Sequence, residues 1–462
     1  MFNLAKPKRR WFQFSLRSMF VLTAIVAALS SWTAHRMRQK AVEERHVAKL
    51  REAGFEVRYT SDKYGEKPVG FVWTPAGPKW LCHVLGRNFF DDPHVASLRQ
   101  HATTIPDGVW QALGTLTTLN DLELGINASL EKNDIDDDDL KHLSELQSLT
   151  RCALLGSRIE GPGLRHLAKS EKLEELDLSE SCVGDTDCET IVEQFPRLKY
   201  LNLNNTRVTP KGLDVLSSLR ELEELNVSSD HSDTVVFEDH QRIEALSVGY
   251  DGEAIDLEEV RIANLPALEY LSIPENMRKC SLENLPQLQE ARVGAANIRL
   301  VDLPTLEYLD WVYSLKYEPS EILLTGLQNL ERVELWADGG WDQACRELAG
   351  CQKLAKLRIV GYIDDCGGSH GVSDEGLAYL SKCSQLRDLE IGNGNITSEG
   401  LKSLSKLSNL KRLHLSVEGI DDSMLKIFLT FPALTELNVS STDITEKGMQ
   451  WLRSQKPDMY IN

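Results

Sequence analysis

One apolar pattern recurs along most of the chain and constrains its fold more than any other feature. The pattern is Leu-x-x-Leu-x-[Leu/Val/Ile], with other apolar residues at some positions, and it begins fourteen times, at Leu119, Leu149, Leu173, Leu198, Leu222, Ile243, Leu268, Leu288, Leu306, Leu330, Leu354, Leu386, Leu410 and Leu434. The starts are mostly 24 or 25 residues apart. Such a period is typical of a solenoid, in which each unit buries its apolar edge only against its neighbours. We therefore expect an α/β fold, a right-handed horseshoe with a concave parallel sheet of about fourteen strands and convex helices.

A second motif predicts where the helices begin. About ten residues after the strand pattern, the chain reads VTPKGL from Val208, VSDEGL from Val372, ITSEGL from Ile396 and ITEKGM from Ile444. The Thr or Ser that follows the first apolar residue is a typical helix N-cap. The acidic run from Asp136 to Asp139 occupies the same place, where it would be either a helix cap or a calcium loop. Because the glycine and the spacing of an EF-hand are missing, helix capping is favoured.

The two motifs together resemble a known family. From residue 95 to residue 462 the chain resembles leucine-rich-repeat proteins of the ribonuclease-inhibitor-like and cysteine-containing classes, whose 24-residue LxxLxLxxTxITDxGLxxLxxLxx repeat is common in bacterial proteins. The leader Arg-Arg-Trp-Phe-Gln-Phe-Ser-Leu-Arg before one hydrophobic segment resembles the membrane-anchored members. The resemblance implies the fold and a scaffold that binds other macromolecules, but it names no ligand.

The N-terminal region contains a candidate membrane span. Ser18 to Ala34 is an uncharged run of seventeen residues, with five Lys or Arg residues before it and three between Arg36 and Lys40. This length is the short limit for a spanning helix. Small residues at Ala28 to Ser30 also suit cleavage of a signal peptide. We favour an uncleaved anchor, and the excess of positive charge at the N-terminal side places the repeats outside the cytoplasm.

These features divide the chain into four parts: a basic segment (1–17), a transmembrane helix (18–34), a juxtamembrane helix with an N-terminal cap (35–94) and the repeat domain (95–462). Within the cap we expect a helix from Arg36 to Ala53 and then a strand in FEVRYT. A degenerate first repeat is expected to begin at Val95, because terminal repeats must cover the open end of the core.

Two stretches depart from the regular repeat. Between Ile243 and Leu306 the repeats shorten to as few as 20 and 18 residues, which leaves no room for a two-turn helix. Extended or 3₁₀ connections should replace the helices there, with flatter curvature. The repeat between Leu354 and Leu386 has 32 residues, and its additional GYIDDCGGSHGV should form a loop at one rim, near any binding surface.

The charge distribution bears on the partners. Residues 1–51 contain eleven basic and two acidic residues, whereas the rest contains 40 basic and 68 acidic residues, a formal charge of −28. An acidic repeat domain repels polyphosphate, so no nucleic-acid partner is expected. The basic N-terminal segment suits a lipid bilayer.

The cysteines do not define a disulfide framework, because there are nine of them. Cys351 and Cys383 occupy equivalent places in two repeats, so we expect them to be buried thiols. If the repeats are exported, Cys182 could pair with Cys188, or Cys345 with Cys351.

Motifs of catalysis are missing from the sequence. There is no HExxH, and no GxSxG, GxxxxGK[ST] or GxGxxG in a suitable strand-turn-helix context, so we expect neither an enzyme nor a cofactor. Asp364, Asp365, Cys366 and His370 are of metal-ligand types. Since they lack zinc spacing, a solvated loop is the favoured interpretation.

The expected function therefore depends on the surface of the sheet. Side chains that alternate with the buried leucines should project from the concave face, and a candidate protein-binding set is Tyr270, Arg292, Tyr308, Asp310, Arg332, Glu334, Trp336, Lys356 and Arg358. Aromatic residues and arginines are common anchors at interfaces, although the same side chains could simply solvate the sheet. Trp336, the strongest candidate, could instead be covered by the Gly339-Gly340-Trp341 turn and serve only packing. The expected function is a membrane-tethered module for a protein or peptide ligand; the alternative is a structural or adhesive envelope scaffold without one specific ligand.

Overall fold

The structure is a computed structural model of the 462-residue chain. It describes residues 16–60, 62–64, 71–73, 81–82, 85, 89–98, 105–125, 134–227, 234–249, 258–273, 277–312, 321–337, 341–361 and 371–462. Most of the predicted basic segment and residues 362–370 of the long repeat lie outside the described residues.

The described chain begins with one long helix, α1 (Leu16–Glu52), of 37 residues. The expected span and the expected juxtamembrane helix both lie within this single helix. The physical reason is that no glycine or proline stands between Leu16 and Glu52 to interrupt the hydrogen bonds. Gly54, at φ +92°, follows its end in a conformation that favours glycine.

A large sheet runs through the repeats. Its seventeen described strands are β1 (Phe55–Tyr59), β4 (Pro93–Leu98), β5 (Asp121–Leu124), β6 (Arg151–Leu154), β7 (Glu175–Asp177), β8 (Tyr200–Leu203), β9 (Glu224–Val227), β11 (Ala245–Val248), β13 (Tyr270–Ser272), β15 (Glu290–Val293), β17 (Tyr308–Val312), β19 (Arg332–Ala337), β20 (Lys356–Gly361), β22 (Asp388–Gly392), β24 (Arg412–Ser416), β25 (Glu436–Asn438) and β26 (Tyr460–Ile461). From β4 onward each strand pairs in parallel with the next one in this order.

The sequence predicted most of this sheet. All fourteen pattern starts precede a strand, Val95 lies in β4, and FEVRYT forms β1. The expectation of a parallel sheet across the repeats is confirmed from β4 onward. At the edge of this sheet, β1 adds an antiparallel partner for β4, with Phe55 opposite Leu98. Equivalent leucines are stacked by the register; Leu246 lies opposite Leu271, and both are essentially buried. They form a single hydrophobic core that runs from Val47 to Ile461.

The short repeats form a second parallel sheet behind the first one. Its strands are β10 (Thr234–Glu238), β12 (Glu259–Ala263), β14 (Met277–Glu283), β16 (Ala295–Val301) and β18 (Ile322–Thr325). Among the described residues no helix occurs between Leu216 and Trp341, so the expected loss of helices is confirmed over a wider window than predicted. A strand advances about 3.3 Å per residue and a helix about 1.5 Å, so fewer residues close the repeat when the connection is extended.

The other repeats carry short helices after their strands. These are α2 (Asp107–Gly114), α3 (Asp137–Leu140), α4 (Gly161–Leu164), α5 (Asp185–Gln194), α6 (Pro210–Leu216), α7 (Trp341–Leu348), α8 (Asp374–Leu380), α9 (Ser398–Leu404), α10 (Leu425–Phe428) and α11 (Glu446–Gln455), with 3₁₀ turns at Lys141–Leu143, Arg165–Leu167 and Asp422–Met424. Two small pairings, β2 (Asp62–Tyr64) with β3 (Phe71–Trp73) and β21 (Val372–Ser373) with β23 (Gly394–Asn395), complete the described elements.

The predicted N-caps are confirmed. The side chains of Thr209, Ser373, Thr397 and Thr445 each accept a hydrogen bond from a backbone N–H in the first turn of their helix. Asp136 accepts from the N–H groups of Asp138 and Asp139, and its own N–H donates to the Asp139 carboxylate. The acidic run is therefore a helix cap, as expected.

No disulfide joins the described cysteines, so neither the Cys182–Cys188 pair nor the Cys345–Cys351 pair is formed. Cys351 and Cys383 are buried, as the repeat pattern predicted. Burial raises the pKa of the Cys383 thiol to about 12, which keeps it protonated and unreactive at neutral pH.

Candidate functional site

All nine residues of the predicted protein-binding set lie on five consecutive strands, β13, β15, β17, β19 and β20. We call this set (Tyr270, Arg292, Tyr308, Asp310, Arg332, Glu334, Trp336, Lys356 and Arg358) the strand patch. The pairing register aligns it in rows across the sheet. Tyr308 is opposite Arg332, which is opposite Lys356; Arg292, Asp310, Glu334 and Arg358 follow one another in the next row; and Trp336 is opposite Val312 and Val360.

Two arginines of the strand patch stack on aromatic rings. The guanidinium carbon of Arg332 is 4.8 Å from the centre of the Tyr308 ring, and that of Arg358 is 4.5 Å from the centre of the Trp336 ring. Cation–π contacts of this length are worth about 0.5–1 kcal/mol at exposed sites. Tyr270 is 43% exposed, the most exposed large apolar residue of the patch.

The same arginines also form ion pairs with carboxylates of the sheet. Arg358 is 3.1 Å from Glu390 and 3.8 Å from Glu334, and Arg332 pairs with the same Glu334. These contacts hold the guanidinium groups in place. They also satisfy part of the hydrogen-bonding capacity that a ligand would otherwise use.

Asp310 differs from the other members of the strand patch, because it is only 8% exposed. Burial raises the pKa of its carboxyl above the ordinary value, although the ion pair with Arg292, at 3.1 Å, acts in the opposite direction. Asp310 therefore supports Arg292 from beneath and offers little surface to a partner. The Glu334 side chain is nearly as enclosed, at 14% exposure, so the accessible part of the predicted set consists of the other seven residues.

The patch continues into a shallow groove of about 380 Å³ over the next repeats. Besides strand-patch residues, its polar lining comprises Asp388, Glu390, Arg412, His414, Glu436 and Asn438. Arg412 pairs with Asp388 at 2.8 Å. These residues were not predicted, although they occupy the same positions of the strand pattern one or two repeats further on. The 24-residue spacing between Asp388 and Arg412 could have identified them.

The described residues contain no group of three or more His, Cys, Asp or Glu side chains that could hold a metal ion. The predicted metal-type residues Asp364, Asp365, Cys366 and His370 lie outside the described residues. So do Gly339 and Gly340 of the turn that was the alternative cover for Trp336, whereas Trp341 of the same turn is buried at the start of α7.

Comparison with protein families identifies the repeats. The family described as "FBD-associated F-box protein, LRR repeats" matches residues 108–285, and the family described as "Leucine Rich repeat" matches residues 382–405 and 432–452. Together with the stacked strand-and-helix units, these matches define the class: the chain is a solenoid built of sequence repeats. The matched residues, 108–285, 382–405 and 432–452, are leucine-rich repeats.

Several solved structures are similar to the chain. An internalin of Listeria monocytogenes is 15% identical, with 79% of this chain and 85% of the internalin covered and a TM-score of 0.39. A leucine-rich-repeat protein of Leptospira interrogans is 15% identical, with coverage of 79% and 94% and a TM-score of 0.38. The TLR13–ssRNA13 complex is 16% identical, with coverage of 78% and 60% and a TM-score of 0.46. No curated protein matches the chain.

Proposed function

We propose that this chain is a membrane-tethered interaction module whose strand patch, on the concave face of the solenoid, binds a protein or peptide outside the cytoplasm. Leucine-rich-repeat domains generally mediate protein interaction. The observation that carries the proposal is the pair of aromatic–arginine stacks, Tyr308 with Arg332 and Trp336 with Arg358, beside an open groove.

The physical reason is preorganisation. Aromatic and arginine side chains dominate binding energy at interfaces, and a side chain that is already held loses less entropy when a partner binds. Here the ion pairs to Glu334 and Glu390 hold Arg358 against Trp336 before any partner arrives. Lys356 is exposed and forms no ion pair within the described part of the chain, so its ammonium group is available to a carboxylate of the partner.

The alternative function, a structural or adhesive scaffold without one specific ligand, is supported by one observation. Every arginine of the strand patch already has a carboxylate partner within the sheet. A face whose charges are internally paired gives less discrimination between partners than one with free charges. The next experiment separates the two functions.

Trp336→Ala is expected to reduce partner capture at least tenfold, because interface anchors of this type are worth about 2 kcal/mol or more. The test retains the full-length protein in detergent on a support, exposes it to membrane and envelope extracts, and quantifies the captured proteins by mass spectrometry. Arg358→Ala should give a similar loss, since it removes the other half of the same stack.

The matched control is Arg278→Ala on β14, in the second sheet. Arg278 is exposed and pairs with Glu258 at 2.7 Å, so its removal also breaks an arginine–carboxylate pair, but away from the patch. Capture should stay within twofold of the wild type. If Trp336→Ala lowers the melting temperature and leaves capture unchanged, the residue serves packing, and the patch is abandoned in favour of the scaffold function.

The tether proposed here is α1. By length and composition this helix can cross a membrane, and a signal sequence would meet the same criteria. Two of the three basic residues that follow the apolar run, Arg36 and Lys40, pair with Asp92 at 2.8 and 2.6 Å. These ion pairs give Arg36 and Lys40 a structural role, which accounts for the basic residues on the C-terminal side of the apolar run. This supports a cytoplasmic N-terminus, with residues 95–462 exported.

For this topology, protease added to intact cells with a permeabilised outer layer should cleave a tag placed at the C-terminus of the repeats. Because the described repeats are tightly packed, a cleavable tag at the C-terminus provides the accessible site. Protection of the tag would place the repeats in the cytoplasm. A mature chain that starts near Ser31 would identify residues 1–30 as a cleaved signal peptide.

A further inference from the structure

The two halves of α1 have very different surroundings. From Leu16 to Trp32 no side chain is buried, and the large apolar residues are exposed around the whole circumference of the helix, as Leu16 at 73% and Phe20 at 68% illustrate. From Arg36 onward one face is covered. The covered residues are Arg36, Lys40, Glu43, His46, Val47 and Leu50, which follow one another at intervals of three or four except for the adjacent pair His46 and Val47. The second half therefore belongs to the repeat domain, and Val47 and Leu50 are part of its core.

Just after its apolar half, α1 is joined by an ion-pair cluster to residues 91 and 92, which precede β4. We call the second half of α1, β1, β4 and residues 89–92 the cap. Lys40 is 4% exposed, and its ammonium group lies 2.6 Å from Asp92 and 2.7 Å from Glu43 and donates to the carbonyl of Asp91. Arg36 donates to the same Asp92 carboxylate at 2.8 Å. These two cations hold the pKa of Asp92 below its ordinary value, against the effect of its partial burial. Removal of one partner from such a cluster leaves an uncompensated charge, so the attachment is strong.

An aromatic cluster lies at the level where the apolar half ends. Trp32 is 57% exposed and meets the Phe89 ring edge-on, with centroids 5.9 Å apart. Phe89 in turn contacts Phe90 at 4.9 Å. Trp and other aromatic side chains are typical of the membrane–water interface. The cap thus reaches the same level along the helix as the residue expected at the interface.

Because the apolar half of α1 is slightly shorter than the bilayer is thick, this aromatic cluster is expected to lie close to the bilayer surface. Leu16 to Trp32 rises roughly 25 Å at about 1.5 Å per residue, somewhat less than the hydrocarbon thickness of about 30 Å. A span that is slightly short keeps its ends close to the hydrocarbon boundary. Since Trp32 touches Phe89 directly, the cap cannot stand away from the surface unless α1 bends or the ion-pair cluster opens.

We propose that the cap rests on the phospholipid headgroup layer through Trp32 and Phe90, without a flexible linker between the span and the repeats. The partner of this surface is the bilayer that holds the span, so the inference rests on the proposed tether. Its consequence is that the strand patch has a fixed height and direction relative to the membrane.

Photo-cross-linking to lipid tests the contact. The full-length protein is placed in nanodiscs of palmitoyl-oleoyl phosphatidylcholine with p-benzoylphenylalanine at position 90, at position 32 or, as a negative control, at the exposed position 270. Lipid adducts, detected by mass spectrometry, are expected at positions 32 and 90 and not at 270. An adduct at 32 without one at 90 would show that the span is inserted but the cap stands off, which overturns this inference alone. No adduct at either position would overturn the proposed tether as well.

The role of the ion-pair cluster is tested by the double variant Lys40→Gln with Asp92→Asn, which removes the buried ammonium group and the partly buried carboxylate that pairs with it. We expect the adduct at position 90 to fall at least fivefold and the adduct at position 32 to remain. An unchanged melting temperature of the repeats confirms that the variant is folded; if it is lower, Arg36→Gln, a milder change in the same cluster, replaces it. An undiminished adduct at position 90 would show that the cluster does not hold the cap at the membrane.

Discussion

Trp311→Ala is expected to lower the free energy of unfolding by about 4 kcal/mol, the largest effect of any single substitution considered for this chain. Trp311 stands in β17, where most other repeats have Leu, Val or Ile, and it is 3% exposed. Its indole N–H donates to the carbonyl of Ala295 in β16 at 2.7 Å, so it joins the large sheet to the second sheet. Truncation leaves a cavity between the sheets and a buried carbonyl without that donor, and the two costs act together.

The comparison with Trp311→Phe separates these costs. Phenylalanine keeps most of the ring volume but lacks the donor, so we expect a loss of about 1–2 kcal/mol. Urea unfolding of the full-length protein in detergent, followed by circular dichroism, measures both variants. Hydrogen exchange should show the loss of protection centred on β16 and β17. If Trp311→Ala costs less than about 1 kcal/mol, the two sheets are held together independently of the indole, and this account of the short repeats is wrong.

The strands of the large sheet could be predicted because their physics is local and repeated. Each leucine of the pattern occupies the same inward-facing position of its repeat. Leu246 and Leu271 can therefore be recognised as equivalent from the sequence alone, and they are neighbours in the sheet. The second sheet was only partly predictable. The short repeat length excluded helices. Nothing in a single short repeat, however, shows that the segment replacing its helix pairs with the equivalent segment of the next repeat, as Val260 in β12 pairs with Cys280 in β14.

The strand patch shows the same limit. Alternation within a strand was sufficient to place Arg332 and Arg358 on one face, because side-chain direction is a property of the strand itself. Pairing depends on neighbouring strands, so the stack of Arg358 on Trp336 and its ion pair with Glu390 were not predicted. The burial of Asp310 has the same origin, since the covering side chain, Arg292, comes from the adjacent strand.

A ladder of aspartates along the helix starts was also missed, and it explains the glycine in motifs such as VTPKGL. Asp185, the first residue of α5, accepts from the Thr209 N–H and hydroxyl at 2.6 Å each and from the Gly212 N–H at 3.1 Å, all in the next repeat. A Cβ at Gly212 would lie 2.7 Å from the Asp185 carboxylate. Asp342 makes the same three contacts with Ser373 and Gly376.

Asp185→Ala is therefore expected to lower the free energy of unfolding by about 3 kcal/mol, the second large effect. Hydrogen bonds to a charged acceptor contribute about 1.5–3 kcal/mol each, and their loss here is less than additive because they share one carboxylate. In a solenoid this loss affects only the interface between two neighbouring repeats. In the variant, the amide hydrogens of α5 should therefore exchange with solvent independently of those of α6. Urea unfolding and hydrogen exchange of the full-length protein measure the two effects.

Two further variants decide whether the carboxylate itself is responsible. Asp185→Asn keeps one oxygen acceptor and should recover about half of the loss, because the neutral amide accepts a weaker hydrogen bond. Asp214→Ala removes an exposed carboxylate from the neighbouring helix α6 and should change stability by less than about 0.5 kcal/mol. Equal losses for Asp185→Ala and Asp214→Ala would mean that net charge, and not the ladder, sets the stability of this interface. If the ladder acts as described, Gly212→Ala should destabilise the protein in the same region, since its Cβ would displace the carboxylate from both backbone N–H groups.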